Sequence, residues 1–281
     1  MPKFLPAKLK ILATSIAISS LVTNSLIAQK DQGLKIQLIS ETQTVIPGQS
    51  FTVGLHIQHD EGYHTYWKNP GIVGVATNIN WTLPEGFTAS EIQWPYPELT
   101  KMASYPCHGY ERDVTLLVTI TPPDKISSNE VTLNAKSGWM CCAETCHPGS
   151  KKFSLTLQVA KEKLPDSESI KLIRQARREI PRASKAWQSA VLTDRNEKAI
   201  HLKIHPPTNA TTESVYLFSS DGQISSDKKQ TVTVQADGSW LLTTERCEFS
   251  PKSPKQLTSV LKVGDQYIIC LLYTSPSPRA S

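Results

Sequence analysis

Three cysteines crowd into the six residues Cys141-Cys142-Ala143-Glu144-Thr145-Cys146, and His147-Pro148-Gly149 follow at once. Thiols at this density support three chemistries. Cys142 and Cys146 can close a small disulfide ring if the chain turns back to bring their Cα atoms within about 4.4–6.8 Å. Such a ring exchanges with external thiolates when it is accessible and when a neighbour, His147 or an exposed backbone amide, lowers a thiol pKa. The same pair can equally be a structural crosslink, the commoner fate of nearby cysteines in exported proteins. A bridge over so short a loop removes little entropy from the unfolded chain, however. The third chemistry is metal binding: Cys107, His108, Cys141, Cys142, Cys146 and His147 offer soft ligands to copper(I) or zinc, at spacings that form no recognised finger. Covalent haem takes two residues between its cysteines, and three stand between Cys142 and Cys146.

The elements that must position these thiols alternate apolar and polar residues with period two, the pattern of strands that bury one face. Leu34, Ile36 and Leu38 form one set, and Phe51, Val53, Leu55 and Ile57 another. Val131, Leu133 and Ala135 precede the cysteines, and Phe153, Leu155, Leu157 and Val159 follow them. Turn signals at Pro47-Gly48, Asn69-Pro70-Gly71, Pro84-Glu85-Gly86 and Pro122-Pro123-Asp124 separate the sets. This spacing predicts an antiparallel β-sandwich over residues 29–161, with the cysteine cluster on a loop between two of its strands. In 168–179, Ile170, Leu172, Ile173 and Ala176 recur at helical spacing, Asp166 or Ser167 can cap, and Pro181 stops the helix. A short helical linker is expected over 162–184. Strands resume in Ile200, Leu202 and Ile204, in 215–218, and in 232–242 around the hairpin signal Ala236-Asp237-Gly238. A second, smaller β-domain is expected over 185–269. Cys247 stands alone in it and reads as a small hydrophobe.

The termini set the compartment. Lys3, Lys8 and Lys10 precede an uncharged, mostly apolar run from Ile11 to Val22, with Ser25 and Ala28 as small cleavage residues. Residues 1–28 are therefore expected to be a secretory signal peptide, the run being shorter than the roughly 20 residues of a membrane span. Export to the periplasm lets disulfides persist. The stretch from Cys270 to Arg279 resembles the translation of a transposase sequencing adapter, so 270–281 are expected not to be native and the protein to continue beyond them. With 39% hydrophobic and 20% charged residues the sequence as a whole has a globular composition. The +5 net charge comes from basic residues interleaved with acidic ones, which gives nucleic-acid binding no support.

Four segments, in order, resemble the N-terminal domain of the thiol:disulfide interchange protein DsbD family, in its ScsB-like branch. They are 60–71 (DEGYHTYWKNPG), 81–87 (WTLPEGF), Gly109-Tyr110-Glu111 ahead of 114–120, and 139–148 (WMCCAETCHP). More loosely, Tyr216-Leu217-Phe218 and Gly222-Gln223-Ile224 resemble that branch's extra β-domain. The resemblance implies an all-β chain of two immunoglobulin-like antiparallel β-sandwiches joined by the helical linker. It implies that Cys142 and Cys146 are the redox pair, a redox-active disulfide with no further cofactor. It implies electrons arriving from a membrane-embedded reductase domain of the same polypeptide, in a protein anchored in the inner membrane. The electrons would then pass to periplasmic thioredoxin-like or disulfide-isomerase proteins. The segment 99–110 corresponds to the family's capping loop, which places Cys107 and His108 near the pair, and Tyr63 and Tyr66 match aromatic positions beside it. Cys141 replaces a usual aliphatic residue, and His147 and Ile72 also depart from the pattern. A Cys141–Cys107 pairing and copper handling by adjacent thiols are left open. His56 and His59 are expected to be solvated.

Overall fold

The computed structural model describes residues 32–192, 198–251, 254 and 256–273, so the expected signal peptide and residues 274–281 lie outside it. Two sheets face each other in the first half. One orders β1 (Leu34–Ser40), β3 (Phe51–His59), β9 (Val114–Thr121) and β6 (Thr88–Ala89), all antiparallel. The other orders β2 (Thr44–Val45), β11 (Cys146–Val159), β10 (Glu130–Cys142) and β5 (Asn78–Thr82), with β2 parallel to β11. Phe51, Val53, Val118, Ile120, Leu133 and Leu157 interdigitate between them, the inward halves of the period-two patterns. A three-stranded ribbon of β4 (Thr65–Gly71), β8 (Tyr105–Tyr110) and β7 (Glu98–Met102) closes one end.

The second half repeats the theme as an all-β, immunoglobulin-like layer pair. One sheet holds β12 (Gln188–Val191), β13 (Ala199–His205), β16 (Trp240–Glu245) and β15 (Thr231–Val234). The other holds β14 (Tyr216–Ser219), β17 (Gln256–Val263) and β18 (Gln266–Tyr273). Leu202, Leu217, Trp240, Leu242 and Leu261 fill its core. Cys270 is buried there on β18, opposite Ser259.

Helix α1 (Ser169–Glu179) has its first turn held by Asp166, whose Oδ1 accepts from the Glu168 and Ser169 amides at 3.2 and 3.0 Å. Its chain turns extended at Ile180, as the residue before a proline prefers. The helix does more than connect: Ile173 and Ala176 pack on Ile39 and Leu117, on the outer face of the β1-β3-β9 sheet. Burying Ile173 alone is worth about 1.5–3 kcal/mol. Covered on both faces, β3 buries every residue from Phe51 to Ile57. His56 is consequently buried, bonded to Thr115 Oγ1 at 2.9 Å, and not solvated as its polarity suggests. His59 is also drawn in, its Nδ1 2.9 Å from Arg112 O and its Nε2 3.0 Å from Thr65 Oγ1.

The two sandwiches share a seam. Trp67 of β4 and His108 of β8 meet Phe218 edge-on, at ring separations of 6.2 and 5.0 Å. Tyr96 stacks on Tyr267 at 4.0 Å. Ser226 Oγ accepts from the Ile72 amide and donates to Pro106 O, at 3.0 and 3.1 Å.

Candidate redox site

Strands β10 and β11 run on past the ends expected from their apolar sets, with an unbroken register from Glu130↔Gln158 to Cys142↔Cys146. The cysteine motif is therefore the tip of one long hairpin, not a loop between two short strands. The alternation that extends β10 is present in the sequence, since Ala135, Ser137, Trp139 and Cys141 are buried in turn. Small, polar Ser137 and Gly138 weaken its apolar signature. Gly149 lies opposite Trp139, and a Cβ there would stand 2.4 Å from the indole, so the ring rests directly on glycine backbone.

Cys142 and Cys146 form a disulfide with their Cα atoms 4.1 Å apart. The Ala143 amide donates to Thr145 O at 3.0 Å and closes the turn between them. The two halves differ in environment: Cys142 is fully buried, whereas Cys146 is exposed. On the buried side, Tyr66 of β4 donates its O–H to Cys142 Sγ at 3.0 Å and lies 3.9 Å from Cys146 Sγ. Burial, with Cys107 and Cys141 nearby, pushes the Tyr66 phenol up to about 12, so it stays a neutral donor. Its ring lies against Gly74, where φ is 105° and a Cβ would come within 2.2 Å of the ring. Cys107 of β8 joins the same cluster, flanked by Val73, Met102 and Met140. Its sulfur lies 3.0 Å from Thr100 Oγ1, and burial raises its pKa.

One histidine does stand beside the disulfide, and sequence reasoning passed over it. His64 and Cys142 exchange both backbone N–H···O bonds, at 2.9 and 3.0 Å. Residues opposed in this way carry their side chains on one face of the sheet. His64 also meets the Tyr66 ring edge-on at 5.1 Å. It is 2% exposed, burial lowers its pKa, and its Nε2 has no hydrogen-bond partner among the described residues. The available signal was spacing: two residues before Tyr66 on a strand, it must share the Tyr66 face.

The remaining expected residues disperse. Cys141 points the opposite way from Cys142, into a core cluster with Leu34, Leu55 and Trp139, where burial pushes its thiol up to about 12. Cys107 and Cys141 are both free thiols in different clusters, so the pairing left open between them is not formed. His147 opposes Cys141 and so lies on the face away from the disulfide. Its Nε2 is 3.0 Å from Thr145 Oγ1 and its ring 6.5 Å from Tyr63, which itself packs beneath Gly33. The expected capping loop is the β7–β8 hairpin, which turns at Ala103 with φ 54°. It brings Cys107 to the site but turns His108 towards the second sandwich. There His108 Nε2 lies 3.1 Å from Tyr216 Oη and Nδ1 3.3 Å from Asn69 O, and burial lowers its pKa to about 4. The donor set considered for copper or zinc thus faces several directions. Among the described residues no group of three or more His, Cys, Asp or Glu side chains converges on a common point.

The profile described as "Thiol:disulfide interchange protein DsbD, N-terminal" matches residues 35–158, the span from β1 to the end of β11. Residues 35–158 belong to the DsbD N-terminal family. The Cys142–Cys146 disulfide is the tip of this DsbD N-terminal domain's longest hairpin. The crystal structure of the N-terminal periplasmic domain of ScsB from Proteus mirabilis superposes with a TM-score of 0.63 at 18% identity, covering 88% of this chain and 96% of that one. At that identity the likeness is one of fold, and its extent takes in the second sandwich as well as the DsbD N-terminal domain. A structure of AvmM, which catalyses macrocyclization in alchivemycin A biosynthesis, aligns at a TM-score of 0.25 and 12% identity, over 47% of this chain and 92% of that one. That score is too low to support an argument. No curated protein sequence matches the chain. Among the described residues no helix is long and apolar enough to cross a membrane.

Proposed function

We propose that the chain is a periplasmic thiol–disulfide exchange module within a protein-disulfide reductase. It accepts electrons at Cys142–Cys146 from a membrane-embedded reductase domain and passes them to periplasmic thioredoxin-like or disulfide-isomerase proteins. In this reading residues 29–161 are the redox domain, 162–184 the helical connection, 185–269 a second sandwich, and 1–28 the export signal of a protein anchored in the inner membrane. The observation that carries it is the asymmetry of the cystine: Cys146 is exposed at the hairpin tip while Cys142 is buried against Tyr66.

An incoming thiolate attacks Cys146 Sγ, the reachable sulfur, along the S–S axis, and Cys142 leaves as a thiolate. The Tyr66 hydroxyl strengthens its hydrogen bond as charge develops on Cys142 Sγ, which makes it the better leaving group. The partner's second thiol then resolves the mixed disulfide and frees Cys146. In the donating direction the Cys146 thiolate attacks the client disulfide, and Cys142 resolves the product. Cys141 and Cys107, buried with raised pKa values, stay protonated and outside the exchange.

A redox titration against glutathione tests the reading. A potential above about −300 mV is expected of an exchanging bridge, whereas a lower value makes the bridge structural and defeats the proposal. In the same experiment Cys142→Ser should accumulate a stable mixed disulfide through Cys146, and Cys146→Ser should not.

A further inference from the structure

His64 poses a problem the exchange chemistry can answer. A buried ring nitrogen without a partner loses hydration and gains nothing, and such groups in native proteins call for an explanation. This one lies directly across the strand pair from the buried half of the disulfide, in edge contact with the tyrosine that bonds the same sulfur. The buried half is also where reduction deposits charge, and a lone thiolate in an apolar site is strongly disfavoured.

We infer that His64 is the proton acceptor linked to reduction of the Cys142–Cys146 disulfide: when Cys142 is released as a buried thiolate, the facing imidazole takes up a proton at Nε2 and becomes its charge partner. This rests on the exchange reading above. The step balances. The partner dithiol loses two electrons and two protons as it closes to a disulfide. Its first thiolate forms a bond to Cys146 Sγ while the Cys142–Cys146 bond breaks, and its second thiol, deprotonated, displaces Cys146. One proton ends on His64, beside the Cys142 thiolate, and the other on Cys146.

The neighbours of the imidazole leave it this role. On its own strand Tyr66 is a neutral donor, since its pKa lies near 12. From β3, His59 is kept neutral by burial, with a pKa of about 4. Across the ribbon and on β10, Cys107 and Cys141 are held in the thiol form by burial. The charge that changes beside His64 on reduction is therefore that of Cys142 or Cys146, and Cys146 faces water.

The test is a histidine-side-chain NMR titration of the whole chain, oxidised and after reduction with a phosphine, the His64 signal being assigned by its loss in His64→Gln. Oxidised, the midpoint should lie below 6.5. Reduced, it should rise by at least about one unit, because an opposite charge at this range shifts a pKa by about 1–3 units. For a one-unit rise from just below 6.5, the equilibrium constant for reduction of His64→Gln at pH 7 should be up to about threefold smaller than wild type, a potential lower by about 15 mV. A wild-type midpoint identical in the two redox states overturns the inference, and needs no variant to fold. If wild type resists reduction altogether, the exchange reading itself fails. If it reduces normally while His64 is unmoved, only the proton role fails.

Discussion

Tyr66→Phe isolates one oxygen. The substitution keeps the ring against Gly74 and removes the hydroxyl that donates to Cys142 Sγ at 3.0 Å. In the oxidised protein that bond ends on a neutral, weakly accepting sulfur, worth at most the roughly 0.5–1.5 kcal/mol of a neutral pair. On the way to reduction it ends on a sulfur acquiring negative charge, and bonds to charged groups are worth about 1.5–3 kcal/mol. The difference, about 1–2 kcal/mol, is what the hydroxyl contributes to exchange. It corresponds to roughly a tenfold slower reduction and a potential lower by about 30 mV. Stopped-flow reduction by a dithiol, followed by fluorescence, measures the first, and glutathione equilibration the second. Tyr63→Phe is the control, because Tyr63 packs against the cluster of Leu34, Leu55 and Cys141 and near His147, and not in the cluster that holds Cys142. A Tyr66→Phe protein that reduces within twofold of wild type, at an unchanged potential, would refute the assignment of Tyr66 to the leaving sulfur.

Three further outcomes follow from packing and burial. Gly149→Val places a side chain in the space of the Trp139 indole and should cost about 1–3 kcal/mol, read as a lower urea midpoint. Phe218→Ala empties the seam between the sandwiches, where Phe218 is fully buried, and should cost about 3–5 kcal/mol by the same assay. His108, buried in that seam with its pKa lowered to about 4, binds its proton more weakly folded than unfolded. Its contribution is therefore complete above about pH 6.5 and is lost as pH falls through 4, by on the order of 3 kcal/mol. Denaturation series at pH 7 and pH 4 should show His108→Gln losing less stability between them than wild type, and an equal loss would contradict the burial argument.

Sheet content was legible because half-buried strands write their burial as alternation, and Leu34, Phe51, Val131 and Phe153 each head a set that became a strand. The disulfide partners were legible from spacing and motif order. Less visible was anything decided by which face a residue takes across a seam that sequence does not display. His147, adjacent to Cys146 in the chain, lies on the wrong face, while His64, nearly eighty residues away, is its partner's cross-strand neighbour. His56 was misread as solvated for a related reason. Its strand is covered on the outer face by α1, and nothing local to β3 announces that helix.

The ribbon of β4 and β8 explains why site and second sandwich are hard to separate. Along β4, Tyr66 turns to the disulfide and Trp67 to Phe218; along β8, Cys107 turns to the Tyr66 cluster and His108 to Tyr216 and Phe218. A three-stranded ribbon with large side chains on both faces cannot leave either face in water. The first sandwich covers the redox face, and the second covers the back, through aromatic edges and the two Ser226 hydrogen bonds. The position of the Tyr66 hydroxyl against Cys142 is thus set by packing on both sides of one layer. The second sandwich, which carries no cysteine beside the disulfide, takes part in the site by holding that layer in place.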